Sequence, residues 1–140
     1  MTHVSTSTAF ARSSRDFFIA ASHLLNYPSE TPLPTLFMLG RSIELSLKSL
    51  LLAGGMKSSE LSKTPFRHDL ISTFGEVLRR KLIQPDILTP LEIGALELLS
   101  KEYDHTRLSY SDLSRPYHIP RIDLAESIAE KLLSACSSHP

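Results

Sequence analysis

The segment Phe37-Met-Leu-Gly-Arg-Ser-Ile-Glu-Leu-Ser-Leu-Lys-Ser-Leu-Leu-Leu-Ala53 sets the terms for the whole chain. Its apolar side chains fall on almost every face of a helical wheel, a pattern that belongs to a helix buried on most sides. It should be the central helix, and the other elements must cover it. At about 100° per residue, Arg41, Glu44 and Lys48 fall within about 60° of one another, flanked by Met38, Leu45 and Leu52. Three charges therefore make one stripe on an otherwise apolar helix. Buried ions are costly unless paired and hydrogen-bonded, so the stripe needs partners. Glu44 can bridge Arg41 at i−3 and Lys48 at i+4. Two readings follow: a self-satisfied ion network on a face that meets solvent or a sister subunit, or the lining of a cleft or dimer groove that binds an anionic group such as phosphate.

Around this helix the periodicity predicts an all-α chain of about five helices in one domain spanning residues 1–140. Phe10, Phe17, Phe18, Ala21, Leu24 and Leu25 mark a first helix from about Ala9 to Asn26, with residues 1–8 flexible before it. Tyr27-Pro28 ends it, and a stiff proline-bearing loop leads into the central helix near Pro34 or Thr35. Gly54-Gly55 closes that helix with a left-handed residue. Thr64-Pro65 reads as the start of a third helix reaching about Lys81, with Phe66, Leu70, Phe74, Val77 and Leu78 on its apolar face. Thr89-Pro90-Leu91-Glu92 is a capping box, and the helix that it opens should run to about Arg107. Residues 108–119 read as an ordered loop packed by Tyr110 and Tyr117. Ile122, Ala125, Ile128, Ala129, Leu132, Leu133 and Cys136 give an amphipathic last helix.

Composition narrows the function classes. Hydrophobic residues are 41% and charged residues 21%, a globular balance. Fifteen Lys and Arg match fifteen Asp and Glu, so no whole-molecule field draws the chain to nucleic acid or anionic lipid, and such binding must be local. The single cysteine, Cys136, excludes an intrachain disulfide and fits a reducing compartment. No run has signal-peptide or membrane-span character, so a cytoplasmic location without membrane association is expected.

Candidate sites besides the stripe are sparse. His68-Asp69 lies near a helix start, where the dipole favours a neutral imidazole and an ionised carboxylate; the pair can supply a base, or the aspartate can simply cap the helix. Tyr103, His105, Arg107 and Tyr110 mix aromatics and cations in a way that suits stacking on a nucleotide, and equally a loop pinned by tyrosines. Arg79-Arg80-Lys81 reads as a solvated helix terminus rather than an RNA patch. Phosphate loops, zinc-protease and calcium-loop patterns and nucleophile elbows are missing. The carboxylate pairs Glu92 with Glu97 and Glu126 with Glu130 should face solvent, so neither a metal site nor a cofactor is expected.

The order Arg41-Ser-Ile-Glu-Leu-Ser-Leu-Lys-Ser-Leu-Leu-Leu-Ala-Gly-Gly55, Glu60-Leu-Ser-Lys63, Phe66-Arg-His68-Asp69-Leu70, then Tyr103 through Arg107 and Tyr110, resembles the small bacterial HEPN-domain proteins. The resemblance covers about residues 35–120. It implies an up-and-down bundle that dimerises, encoded in toxin–antitoxin, phage-defence or nucleotidyltransferase-partner settings. Many members are metal-independent ribonucleases with an Arg-x(4–6)-His motif. Here that motif is absent: Arg12 and Arg15 precede His23 by too many residues, Arg115 is too close to His118, and Arg67 adjoins His68. The expectation is a non-catalytic or divergent binding module, a homodimer engaging an antitoxin, a nucleotidyltransferase, RNA or a nucleotide through Glu44, Lys48, Asp69, Tyr103, Arg107 and Tyr110. The alternative is a ribonuclease toxin with His68 as general base and Arg41 stabilising the phosphorane.

Overall fold

In the computed structural model, residues 5–27, 32–63, 69–104 and 119–137 are described. Among them every regular element is a helix: α1 (Thr6–Leu25), α2 (Leu33–Ala53), α3 (Ser58–Leu61), α4 (Leu70–Arg79), α5 (Pro90–Asp104) and α6 (Ile122–Ser137). Among the described residues no helix is long and apolar enough to cross a membrane.

The central position of α2 follows from its composition. It packs against α1, α4, α5 and α6, and Leu36, Leu39, Ile43, Leu47, Leu50 and Leu51 are almost completely removed from solvent. Each such burial is worth about 1.5–3 kcal/mol. Facing them are Leu70, Phe74 and Val77 of α4, Leu96 and Leu99 of α5, and Ile128 and Leu132 of α6. Of the periodic residues expected to point inward, Leu70, Phe74 and Val77 of α4 and Ala125, Ile128, Ala129 and Leu132 of α6 are buried, Leu78, Ile122 and Cys136 are partly buried against the core, Leu133 is not part of it, and Phe66 lies outside the described residues. On α1 only Ala21 among the apolar residues is fully buried, and Leu24 and Leu25 remain over one-third exposed.

That weak apolar face on α1 is explained by hydroxyls. Arg41, Glu44 and Lys48 occupy one side of α2, while Ser42, Ser46 and Ser49 form a second polar stripe about 140° away. Ser14 of α1 donates to the Ser42 carbonyl at 2.7 Å and lies 2.6 Å from the Ser46 hydroxyl; Ser7 donates to the Ser49 carbonyl at 2.9 Å. Small side chains let the two helices approach closely, and each buried hydroxyl finds a partner, which removes the desolvation cost. The Cys136 thiol of α6 closes this seam on the Ser46 carbonyl at 3.2 Å. Burial raises its pKa, which favours the protonated thiol that donates in this contact.

Helix ends differ from the sequence reading in instructive ways. The first helix starts at Thr6, three residues before Ala9, because the Ser5 hydroxyl caps the Thr8 amide at 3.1 Å. The helix expected to begin at Thr64-Pro65 begins instead at Leu70, with Asp69 as its cap; Thr64 and Pro65 lie outside the described residues, as does the expected loop up to residue 118. At the end of α2, Gly55 adopts the left-handed conformation (φ 104°), and the Met56 and Gly55 amides return to the Leu51 and Leu52 carbonyls at 2.9 and 3.1 Å. The same closure ends α4, where the left-handed residue is Lys81 (φ 58°). Arg79 and Arg80 both bind Glu76, which consumes two charges of the basic run within the helix terminus.

Candidate functional site

Arg41, Glu44 and Lys48 meet Tyr103, which α5 delivers from 59 residues away. Glu44 is the hub. Its Oε1 accepts the Arg41 guanidinium at 3.1 Å and the Tyr103 hydroxyl at 2.5 Å, and its Oε2 accepts the Lys48 ammonium at 2.6 Å. The Glu44 and Lys48 side chains are 3% and 11% exposed, whereas Arg41 is 34% exposed and lies with its Cζ 5.8 Å from the Phe17 ring centroid. A cation over an aromatic face at such a half-open position adds about 0.5–1 kcal/mol.

The phenol can reach Glu44 only because α2 carries no side chain beneath it. A Cβ on Gly40 would stand 2.7 Å from Tyr103 Cδ1 and 3.0 Å from Cε1, so the ring lies directly on the α2 backbone. Phe37 stacks on the same ring with centroids 6.0 Å apart. A sequence scan offers no reason to single out Gly40; its role exists only once α5 crosses α2.

Each of three groups in the cluster is held in one protonation state. Burial opposes a charge on Glu44, but the hydrogen bonds from Lys48 and Tyr103 and the charges of Lys48 and Arg41 outweigh it, and its pKa falls. Burial, then the neighbouring Glu44 charge, pushes the Tyr103 phenol far above its ordinary value. Partial burial of Arg41 is likewise outweighed by Glu44 and Tyr103, and its pKa rises. The cluster thus favours an ionised Glu44 and a neutral Tyr103. It fixes a guanidinium at the surface, backed by a carboxylate and a phenol.

Among the remaining expected site residues, Asp69 takes a different role. Asp69 is a helix cap: it accepts the Ser72 amide at 3.1 Å, the Ser72 hydroxyl at 2.8 Å and the Ser100 hydroxyl at 3.3 Å. Its oxygens are therefore engaged in joining α4 to α5. His68, Arg107 and Tyr110 lie outside the described residues, as does His105.

Glu92 corrects the sequence reading. Expected on an exposed face, it is buried, 3% accessible. The capping box forms in both directions, Glu92 amide to Thr89 hydroxyl at 3.1 Å and Thr89 amide to Glu92 Oε1 at 2.8 Å. α6 then covers the carboxylate, with Ser127 and Lys131 each 2.6 Å from it. The local motif was legible, but the partners that bury it come from 35 and 39 residues downstream. The buried serine seam was also missed, although Ser42, Ser46 and Ser49 at i, i+4 and i+7 were a usable signal. Among the described residues no group of three or more His, Cys, Asp or Glu side chains is placed to hold a metal ion. Compared with known proteins, the chain matches no family model, no curated protein and no solved structure.

Proposed function

We propose that this chain is a HEPN-like binding module, a homodimer that works beside a toxin–antitoxin, phage-defence or nucleotidyltransferase partner and binds an anionic group through Arg41. The observation that carries the reading is the state of the polar stripe. Arg41, Lys48 and Tyr103 all hydrogen-bond Glu44, which favours its ionised form, while burial favours the neutral form of the Tyr103 phenol. General acid–base catalysis wants a group that titrates near working pH. A half-exposed guanidinium held by a buried carboxylate instead suits recognition of phosphate or carboxylate oxygens.

Homodimer formation is supported by apolar surface. Leu91 and Leu98, seven residues apart on the same side of α5, are 73% and 38% exposed. The decisive experiment uses a fluorescein-labelled RNA of mixed sequence with the wild type, Arg41→Ala and His68→Ala. Binding without cleavage, weakened by Arg41→Ala, is the expected outcome. Cleavage that disappears in both variants overturns the binding reading in favour of a ribonuclease using Arg41 and His68. Light scattering on the same samples should return twice the chain mass, falling to one chain for Leu91→Glu.

A further inference from the structure

Beside the Glu92–Lys131 ion pair, the end of α4, the connection to α5 and one side of α6 form an open-sided groove of about 720 Å³. Small-ligand clefts commonly run from roughly 300 to 1,000 Å³. Leu78, Leu82, Ile83 and Ile87 line it and are only half-buried, so this apolar wall is incompletely covered by the chain itself. Lys81 and Lys131 also line it, and among the described residues no carboxylate does.

The walls are held in place by bonds already made. The left-handed Lys81 fixes the chain reversal, and the Leu82 amide binds the Val77 carbonyl at 3.2 Å. Leu82 itself rests on α2, where a Cβ on Gly54 would lie 2.8 Å from one of its methyl carbons. Lys131 is anchored on Glu92, which leaves further ammonium hydrogens to donate. Lys81 has no ion-pair partner among the described residues. A second cavity of about 540 Å³ shares Ile87, Lys131 and Ser134 with the first and is also lined by Ser127 and Glu130.

We infer that this groove binds a small anionic amphiphile, an apolar body of several carbons carrying one carboxylate, with its head between Lys81 and Lys131 and its body along Leu78, Leu82, Ile83 and Ile87. Apolar surface supplies most of the contact, and two ammonium groups supply orientation, the usual division in ligand pockets. The site is separate from the Arg41 stripe and does not depend on what that stripe binds.

Octanoate is the probe, with 1-octanol and acetate as comparisons, read by calorimetry and by methyl chemical shifts. Octanoate should bind saturably with a dissociation constant on the order of 1 mM, the scale set by ten heavy atoms. 1-Octanol should bind roughly fivefold more weakly, and acetate should not saturate, because neither supplies both parts of the contact. Shifts should centre on the methyls of Leu82, Ile83 and Ile87. Lys81→Gln should lower octanoate to the level of 1-octanol, while Ile83→Ser should weaken both. Equal affinity for octanoate and 1-octanol, absence of saturable binding, or shifts centred elsewhere would overturn the assignment. The wild-type comparison stands even if a variant folds poorly.

Discussion

Replacing Glu92 by Gln keeps the shape of the α5 start and removes its charge. In the wild type, burial pushes the carboxyl upward, but hydrogen bonds from Lys131, Ser127 and Thr89 outweigh it and hold the pKa at about 2 against an ordinary 4.5. The folded value is the depressed one, so this group's contribution is fully present above about pH 4.5 and lost as pH falls toward 2. The gap between those values corresponds to roughly 3 kcal/mol. Lys131 is 36% exposed, so water screens part of the pairing. Allowing for that screening, about 2 kcal/mol is expected at neutral pH, or roughly 6–8 °C in the midpoint of thermal unfolding. Urea titrations followed by far-UV circular dichroism measure the difference between wild type and Glu92→Gln. At about pH 3 less than half of the deficit should remain. A deficit below about 0.5 kcal/mol at neutral pH, or one that is the same at both pH values, would refute the clamp.

Three further substitutions probe the remaining structural claims. Tyr103→Phe leaves the ring on Gly40 but removes a donor from a buried carboxylate, and should cost about 1.5–3 kcal/mol in urea unfolding. Gly40→Ala forces the ring off α2 and should cost about 1–3 kcal/mol; in the double variant Tyr103→Phe should add less than it does alone, because the hydroxyl has already left Glu44. Lys81→Gly places the favoured residue at a left-handed position and should raise stability by about 0.5–1 kcal/mol, while abolishing the preference for octanoate over 1-octanol.

Elements whose signals are local were readable in the amino-acid order. The central helix announces itself by apolar residues on nearly all faces, and α6 by a regular apolar repeat. The Arg41–Glu44–Lys48 pairing and the Thr89–Glu92 box connect residues three or four apart, where helix geometry alone brings side chains together. Asp69 as a cap is of the same kind, although the start signal at Thr64-Pro65 competed with it and drew the expected boundary too early.

What α2 does with its polar residues was decided only by tertiary packing. The stripe has the same sequence whether its face meets water, a second subunit or another helix; the crossing of α5, admitted by Gly40, brings the Tyr103 hydroxyl onto Glu44 and leaves Arg41 as the part that reaches solvent. Glu92 looks like any exposed capping residue until α6 lays Ser127 and Lys131 over it. Hydrogen bonds within one helical turn are set by backbone geometry, so the chain by itself determines them. Burial and the charge states that follow from it depend on which distant helix supplies the covering side chains, and that is settled only when the bundle closes.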